Sequence, residues 1–386
     1  MPGKVAVIGG GPSGAACSFF LARAGIDVFL FERNPHREKP CGGGLSFRAL
    51  TSLPGGRAFP VDGADIFRLR LISPDGHAVD LLLNDPIRVV SRKDLDAALR
   101  RLATSAGAIS IEETVRKPMP SKNGGWRVNG RQVDIVVGAG GINDPLARFL
   151  GLPIPSRRRG QALGVYIPGR FPRQIICRFF RRCRGYAWWF PRPDNASLGI
   201  ALFEKEFRAD RARLLLQLFI QENLRHLPDV KQKFDRNQFK PYAWAEPILS
   251  PAMLKTRPLN GPNWILAGDA AGLVDTVTGE GIPYALQSGR FAASAILSGR
   301  LSEYSNRLKT RIIPELITAA RMSPGFYQTP LLRGLFFLLV HSKTMRGITI
   351  DMTAGHQAYR HIKRCILRGA PDIIRDLRRY RTSLTH

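Results

Sequence analysis

Acidic residues are few in this chain: 30 Asp and Glu stand against 58 Lys and Arg, a net charge of +28 over 386 residues. Ser156 to Arg192 holds ten arginines and no acid, and Leu301 to His386 holds fifteen Lys/Arg against five acids. Such an imbalance points to an anionic partner (lipid headgroups, a phosphorylated ligand, an acidic protein or nucleic acid) or to a solvated basic coat. Long apolar runs are missing too. The nearest, Leu335 to Val340, has six residues, where a spanning helix needs about 20. Cysteine is scarce. Its five copies (Cys17, Cys41, Cys177, Cys183 and Cys365) are odd in number and form no CxxC pair, which argues against a disulfide framework or a zinc site. No metal is expected. A strand starting at Lys4 is expected to leave no room for a signal peptide, so the cytoplasm is the expected compartment. No repeat, low-complexity tract or nucleic-acid motif stands out, so nucleic acid is not an expected partner.

The most informative stretch runs from Lys4 to Ala15, KVAVIGGGPSGA. An apolar strand ends at Gly9, and Gly9, Gly11 and Gly14, with Pro12 and Ser13 between them, open a helix. Glycines at this spacing serve a tight turn, close backbone approach to a pyrophosphate, and helix–sheet packing. The free N–H groups of the new helix meet phosphate charge. A second apolar run, Val28 to Phe31, ends at Glu32-Arg33, 18 residues beyond Gly14, where an acid binds a ribose hydroxyl. Strand, helix and acid together mark a dinucleotide site.

Further along, Ile66 to Leu83 reads as a hairpin turning at Pro74-Asp75-Gly76, and Ser91 to Leu102 as a helix capped by Ser91. Val133 to Gly138 reads as a buried parallel strand broken only by Asp134. Runs at Leu163–Ile167, Ile175–Phe180, Tyr186–Phe190 and Ser197–Phe203 predict an antiparallel sheet, followed by a helix over Arg211–Leu224. Trp264–Ala267 returns to a buried strand, and a long helix is expected over Ile282–Leu297. The expected fold is α/β. A Rossmann-type nucleotide domain comes in three parts (1–62, 91–155, 251–300), interrupted by a hairpin (63–90) and an antiparallel-sheet substrate domain (156–250). A basic helical region (301–386) ends the chain.

Four other segments complete the picture. They are Pro40-Cys41-Gly42-Gly43-Gly44-Leu45, Ser91 to Asp96, Gly268-Asp269 through Gly279-Glu280-Gly281-Ile282-Pro283, and Tyr186-Ala187-Trp188-Trp189-Phe190-Pro191 with Gly199 beyond. Together with the glycine loop they resemble the FAD-dependent superfamily of the p-hydroxybenzoate hydroxylase fold, and within it the geranylgeranyl reductase family, over roughly residues 4 to 300. The resemblance implies FAD bound by Gly9, Gly11, Pro12, Ser13, Gly14, Glu32 and Arg33. It places the isoalloxazine ring beside Cys41 to Gly44, with Cys41 facing the substrate. Arg92 would contact the FAD, Gly268 and Asp269 the ribityl chain, and Gly279, Glu280, Gly281 and Ile282 the ring. Tyr186, Trp188, Phe190 and Pro191 match the family's aromatic signature, and strand alternation puts Tyr186, Trp188 and Phe190 on one face, able to wall an apolar slot.

Three departures from the pattern matter. Thr276 stands where the family usually has proline. Ala201 replaces the last glycine of the aromatic signature. Gly140 and Asp144 replace the usual Asp and Ser after the strand ending at Gly138, which argues for a reductant other than a nicotinamide. Gly272 agrees with the prenyl reductases, since the related hydroxylases commonly carry histidine there.

The implied function is reduction of carbon–carbon double bonds in a polyprenyl chain, with hydride from the flavin and a proton from Cys41 or Tyr186. Electrons would come from NADPH, ferredoxin or a quinol, and arginines between 157 and 192 would hold a phosphate at the pocket mouth. The alternative is an FAD-dependent monooxygenase of an apolar or aromatic substrate. A basic binding protein with a vestigial FAD site is the third reading. Leu331 to Val340 and the basic tail (His361 to Arg364, Arg378-Arg379) form either a surface for an anionic membrane or a core helix closing the pocket.

Overall fold

Alternating β-branched and aromatic runs near the N-terminus have no polar face, and strands of that kind are stable only with both sides covered. In the computed structural model, which describes residues 3–122, 124–204, 208–236 and 238–383, they form a five-stranded sheet with every pair parallel. Its order is Trp264–Leu266, Ile135–Gly138, Lys4–Ile8, Asp27–Phe31 and Ile109–Ile111. Val7 sits opposite Leu30 on one side and Val137 on the other, all fully buried. This is the expected Rossmann-type layer.

The aromatic runs build a second, eight-stranded sheet in the order Tyr242–Pro247, Arg159–Pro168, Asn195–Leu202, Gly185–Pro191, Gln174–Phe179, Ala64–Ile72, Ala78–Val89 and Gly44–Leu45. All its pairs are antiparallel except one. Gln174–Phe179 runs parallel to Ala64–Ile72, and this pairing joins the early hairpin to the later sheet. The hairpin is longer than predicted, with a register shift between Ile66 and Arg68 that bends it.

One expected strand is two. Arg131–Val133 pairs within a small three-stranded sheet, whereas Ile135–Gly138 belongs to the parallel layer. The break falls at Asp134, whose carboxylate accepts the backbone N–H groups of Gly3 (2.6 Å) and Lys4 (2.9 Å). The one polar residue in the run thus marks the change of sheet.

The helix Ile282–Leu297 forms as predicted and crosses the first helix, Pro12–Arg23. The contact is close: a Cβ on Gly289 would lie 2.2 Å from the Ser13 carbonyl oxygen. Five further helices follow, Ser302–Arg311, Ile313–Phe326, Thr329–His341, Lys343–Ala354 and Ile362–Ser383. The first docks onto the parallel layer through buried Tyr304, whose hydroxyl donates to the Leu266 carbonyl at 2.6 Å. The last three pack on the mixed sheet, where Phe336, Leu339, Met345 and Ile373 join Leu69, Leu81 and Ile175 in one apolar cluster.

Two helical glycines give opposite expectations. Gly289→Ala should destabilise the protein by about 1–3 kcal/mol through overpacking against Ser13. Gly347→Ala, with nothing within 4 Å, should stabilise it by up to about 1 kcal/mol by helix propensity alone. Denaturant melts of the two variants should shift in opposite directions; shifts of the same sign would contradict the helix contact.

Candidate active site

A single cavity of about 830 Å³ runs from the glycine loop of the parallel layer, across the concave side of the mixed sheet, to the C-terminal helices. At one end the three loop glycines do separate jobs. Gly9 has φ +109° and its Cβ would lie 2.4 Å from the Ala139 carbonyl oxygen, so the turn excludes a side chain. Gly14 packs helix against strand, its Cβ falling 1.9 Å from the Gly9 oxygen. Gly11 has an ordinary φ of −75° and nothing within 4 Å of its Cβ position, yet it lines the cavity. It leaves open a cradle that a side chain would fill, in front of the N-terminus of the helix Pro12–Arg23. Glu32 stands beside it, held by the N–H groups of Gly10 (2.9 Å) and Asn34 (3.0 Å). These residues fit a dinucleotide.

The Cys41 to Gly44 loop lines the cavity, but its glycines do more than admit a ligand ring. Gly42 and Gly44 face the ring of Phe190, at 3.4 and 2.8 Å from their Cβ positions, and Gly43 (φ +85°) lies against the Val90 carbonyl. A polar net fastens this loop. Trp188 Nε1 donates to Ser197 Oγ (3.1 Å), and Ser197 Oγ to the Cys41 carbonyl (3.1 Å). Arg192 donates to the same carbonyl (3.2 Å) and pairs with Glu38 (3.0 Å). Burial raises the Glu38 pKa, but Arg192 together with Ser91 and the N–H groups of Lys93 and Arg92 brings it below the ordinary value. Cys41 Sγ accepts from Gly43 N at 3.3 Å. Arg92 opens its helix as predicted and is buried on the cavity wall, in a bidentate pair with Asp96 (3.1 and 2.9 Å).

The loop from Asp275 to Ile282 is anchored from three sides. The hydroxyls of Ser323 (2.7 Å) and Tyr327 donate to the carbonyls of Thr276 and Val277, and Tyr186 donates to that of Thr278 (2.5 Å). Asp275 accepts from the N–H of Val277 at 2.7 Å. Thr276, standing in place of proline, therefore leaves no slack. Glu280 is engaged by Ser46 (2.6 Å) and Arg48, and Asp269 by Lys39 (3.1 Å). Gly272 has φ +82°, and its Cβ would lie 2.2 Å from Leu249 Cδ1. A histidine there would have to displace Leu249. The carboxylate missing at Gly140 is supplied by Asp144, which accepts from the N–H of Gly140 and of Ala147, both at 2.8 Å. Burial lifts the Asp144 pKa to about 6.

Most residues singled out in the sequence line this one cavity, Tyr186, Trp188 and Phe190 among them. Gly14, Gly268 and Pro191 lie behind its wall. None of the arginines between 157 and 192 reaches it: Arg178 pairs with Glu222, Arg181 with Asp75 and Arg192 with Glu38. The cavity's cations are instead Arg33, Arg37, Lys39, Arg48, Arg92, Arg100, Arg116 and Arg148. Sequence reasoning missed two sets of lining residues. The first is Tyr242, Trp244 and Glu246, whose i, i+2, i+4 spacing was the available signal. The second is the rest of the apolar wall from the C-terminal helices, with Phe326, Met345 and Met352; Phe336 beside them belongs to the Leu331–Val340 segment already expected as a helix that could close the pocket.

Comparisons with known proteins agree with this geometry. Residues 7–70 match the model of an NAD(P)-binding Rossmann-like domain. The chain is 29% identical over 337 residues to the chloroplastic geranylgeranyl diphosphate reductase of Oryza sativa subsp. japonica, covering 77% of this chain and 66% of that protein. It thus spans about two thirds of that relative's length. It is 29% identical to a menaquinone reductase of Mycolicibacterium smegmatis, covering 79% of both. Its fold matches a geranylgeranyl bacteriochlorophyll reductase-like protein from Thermoplasma acidophilum with a TM-score of 0.76 and 22% identity, over 97% of this chain and 98% of that one. Over most of its length the chain is thus similar in sequence to geranylgeranyl diphosphate reductases, and it shares the fold of the Thermoplasma acidophilum protein.

Proposed function

We propose that this chain is an FAD-dependent reductase of carbon–carbon double bonds in polyprenyl chains of the geranylgeranyl type, carried by a lipid, a quinone or a diphosphate. The observation that carries the reading is the continuity of one cavity from the Gly11 cradle to an aromatic and apolar wall. Gly11 and the helix N-terminus would hold the FAD pyrophosphate, Glu32 a ribose, Asp269 the ribityl chain, and Gly279 to Ile282 the ring edge. When bound, the flavin supplies the hydride. The protein excludes water and holds the alkene: Phe179, Tyr186 and Trp188 form linked ring contacts 6.1 and 6.2 Å apart, and Phe326 and Phe336 close on Phe179 at 5.9 and 6.0 Å. Cys41 borders the reacting end. The hydroxyl proton of Tyr186 is committed to the Thr278 carbonyl, so Tyr186 fixes the ring-side loop. A monooxygenase is the weaker reading, because the position where related hydroxylases carry histidine is closed by Leu249.

Gly11→Val fills the cradle at a φ any residue adopts, with nothing within 4 Å of its Cβ. The variant should melt like the flavin-free parent but purify without yellow absorbance; full FAD occupancy would contradict the assignment. Trp188→Phe and Phe190→Leu keep most of the wall's volume and avoid the ~3–5 kcal/mol that truncation of a buried ring to alanine costs. Mass spectrometry of the products should show a changed pattern of reduced double bonds, with FAD retained. Unchanged rates and patterns in both would move the prenyl slot elsewhere.

We further propose that the cavity mouth sits on an anionic bilayer. Among the described residues no helix is long and apolar enough to cross a membrane. The helix Thr329–His341 divides its faces: Leu332, Phe336 and Leu339 are buried, while Leu331, Phe337 and Val340 are exposed. Leu331 and Ile366 are both exposed and both line the cavity, so its rim is apolar. Exposed Leu367 and Ile374 extend that rim along a helix that also carries Lys363, Arg364 and Arg368. The buried face of the helix Thr329–His341 closes the cavity, and its exposed face is what supports the membrane reading. Flotation should show binding to anionic vesicles at low salt that weakens at high salt. Recovery of all the protein in the unbound fraction at low salt would remove the claim.

A further inference from the structure

Reduction of an isolated alkene needs an acid as well as a hydride, and neither sequence candidate is well placed to be that acid. The Tyr186 hydroxyl proton is held by the Thr278 carbonyl, and burial pushes its pKa well above the ordinary phenol value. The Cys41 sulfur accepts a hydrogen bond from Gly43. The cavity holds a third group that the motifs did not suggest.

We infer that Glu246 is the acid that delivers the proton to the alkene, an assignment that rests on the reductase reading above. The strand Tyr242–Pro247 turns Tyr242, Trp244 and Glu246 into the cavity. Glu246 Oε1 lies 3.1 Å from the Cβ position of Gly279, against the same loop that would border the flavin ring. Each of the other cavity carboxylates has at least one hydrogen-bond or ion-pair partner, although Asp275 is held through Oδ1 only. Glu32 is held by Gly10 and Asn34, Asp96 by Arg92, and Glu113 by Asn129 and Arg131. Asp269 is held by Lys39, Asp275 by Val277 and Thr278, Glu280 by Ser46 and Arg48, and Glu315 by the N–H of Tyr359. Among the described residues the Glu246 carboxyl accepts no hydrogen bond and forms no ion pair, so no protein partner competes with an alkene for its proton.

The charges around it keep that proton in place until it is needed. Glu246 faces two acids, Asp269 and Asp275, two phenols, Tyr186 and Tyr327, and a single cation, Lys39. Lys39 is already paired with Asp269. Burial first, then Asp269 and Asp275 against the opposing pull of Lys39, raise the Glu246 pKa to about 8. The carboxyl is therefore neutral at pH 7, in the range where a general acid works best.

The balance is simple. The hydride brings an electron pair to one alkene carbon and forms a C–H bond. The π pair takes the proton from the Glu246 O–H, forming the second C–H bond and leaving a carboxylate. The flavin is oxidised by two electrons, the alkene is reduced by two, and water returns the proton to Glu246.

The test compares wild-type holoenzyme with Glu246→Gln and Glu246→Asp, each reduced with dithionite and mixed with geranylgeranyl diphosphate or a menaquinone. Flavin reoxidation in single turnover should slow about 100-fold in Glu246→Gln. Glu246→Asp, which keeps an acid, should recover part of the rate. In the wild type the rate should hold below pH 8 and fall as pH rises through about 8, and this dependence should vanish in Glu246→Gln. Independently of turnover, the infrared carbonyl band of a protonated carboxylic acid should be present at pH 7 and missing in Glu246→Gln. An active wild type with Glu246→Gln within threefold of it, or an unchanged carbonyl band, overturns this proposal alone. A flavin-loaded wild type that reduces neither substrate overturns the reductase reading, and the proposal with it.

Discussion

Three consecutive carbonyls, those of Thr276, Val277 and Thr278, hold the molecule together at its functional centre. Each accepts a hydroxyl, two from the C-terminal helices and one from the mixed sheet, while the loop itself springs from the parallel layer. Thr276 and Val277 are buried, and their carbonyls left without donors would each cost roughly 1–3 kcal/mol. The tyrosines and serine that donate to the three carbonyls therefore fix where three parts of the chain meet. The cavity exists because they meet there.

Against that centre, the parts of the fold that follow local rules were readable in the sequence. Gly9 and Gly14 are glycine because neighbouring backbone leaves no room for a Cβ, and such constraints leave a spacing pattern. The cap at Ser91, the Pro74–Gly76 turn and the helix Ile282–Leu297 were legible for the same reason. Contacts made across long sequence separations were not. That Gly42 and Gly44 face Phe190 depends on strands over 140 residues apart in the chain. Asp134 looked like a blemish in one strand, because only the amides of Gly3 and Lys4 show that it ends one sheet and begins another. Trp244 and Glu246 carried an alternating pattern too short to distinguish from an ordinary strand.

The arginine excess divides once the pairs are known. Arg70, Arg88, Arg178, Arg181, Arg192 and Arg333 all pair with carboxylates, and Asp75 alone serves two of them. Asp75 is held down to about 2 by these contacts, hydrogen bonding to Arg333 foremost. Of the ten arginines in residues 156–192, three pair with carboxylates: Arg178 and Arg192 are buried, while Arg181 makes an exposed pair of the kind that contributes little to stability. The cations that face the cavity come from earlier in the chain, around the dinucleotide end.

The one parallel pairing in the mixed sheet, Gln174–Phe179 with Ala64–Ile72, has a bearing on how this protein can change. The cavity wall is sewn from two stretches separated by an entire crossover of the parallel layer. No contiguous cassette contains it, so recombination at a single pair of breakpoints would tear the sheet along that seam. New specificity has to arrive residue by residue, or through the C-terminal helices, which follow both stretches in the chain and close the cavity from outside.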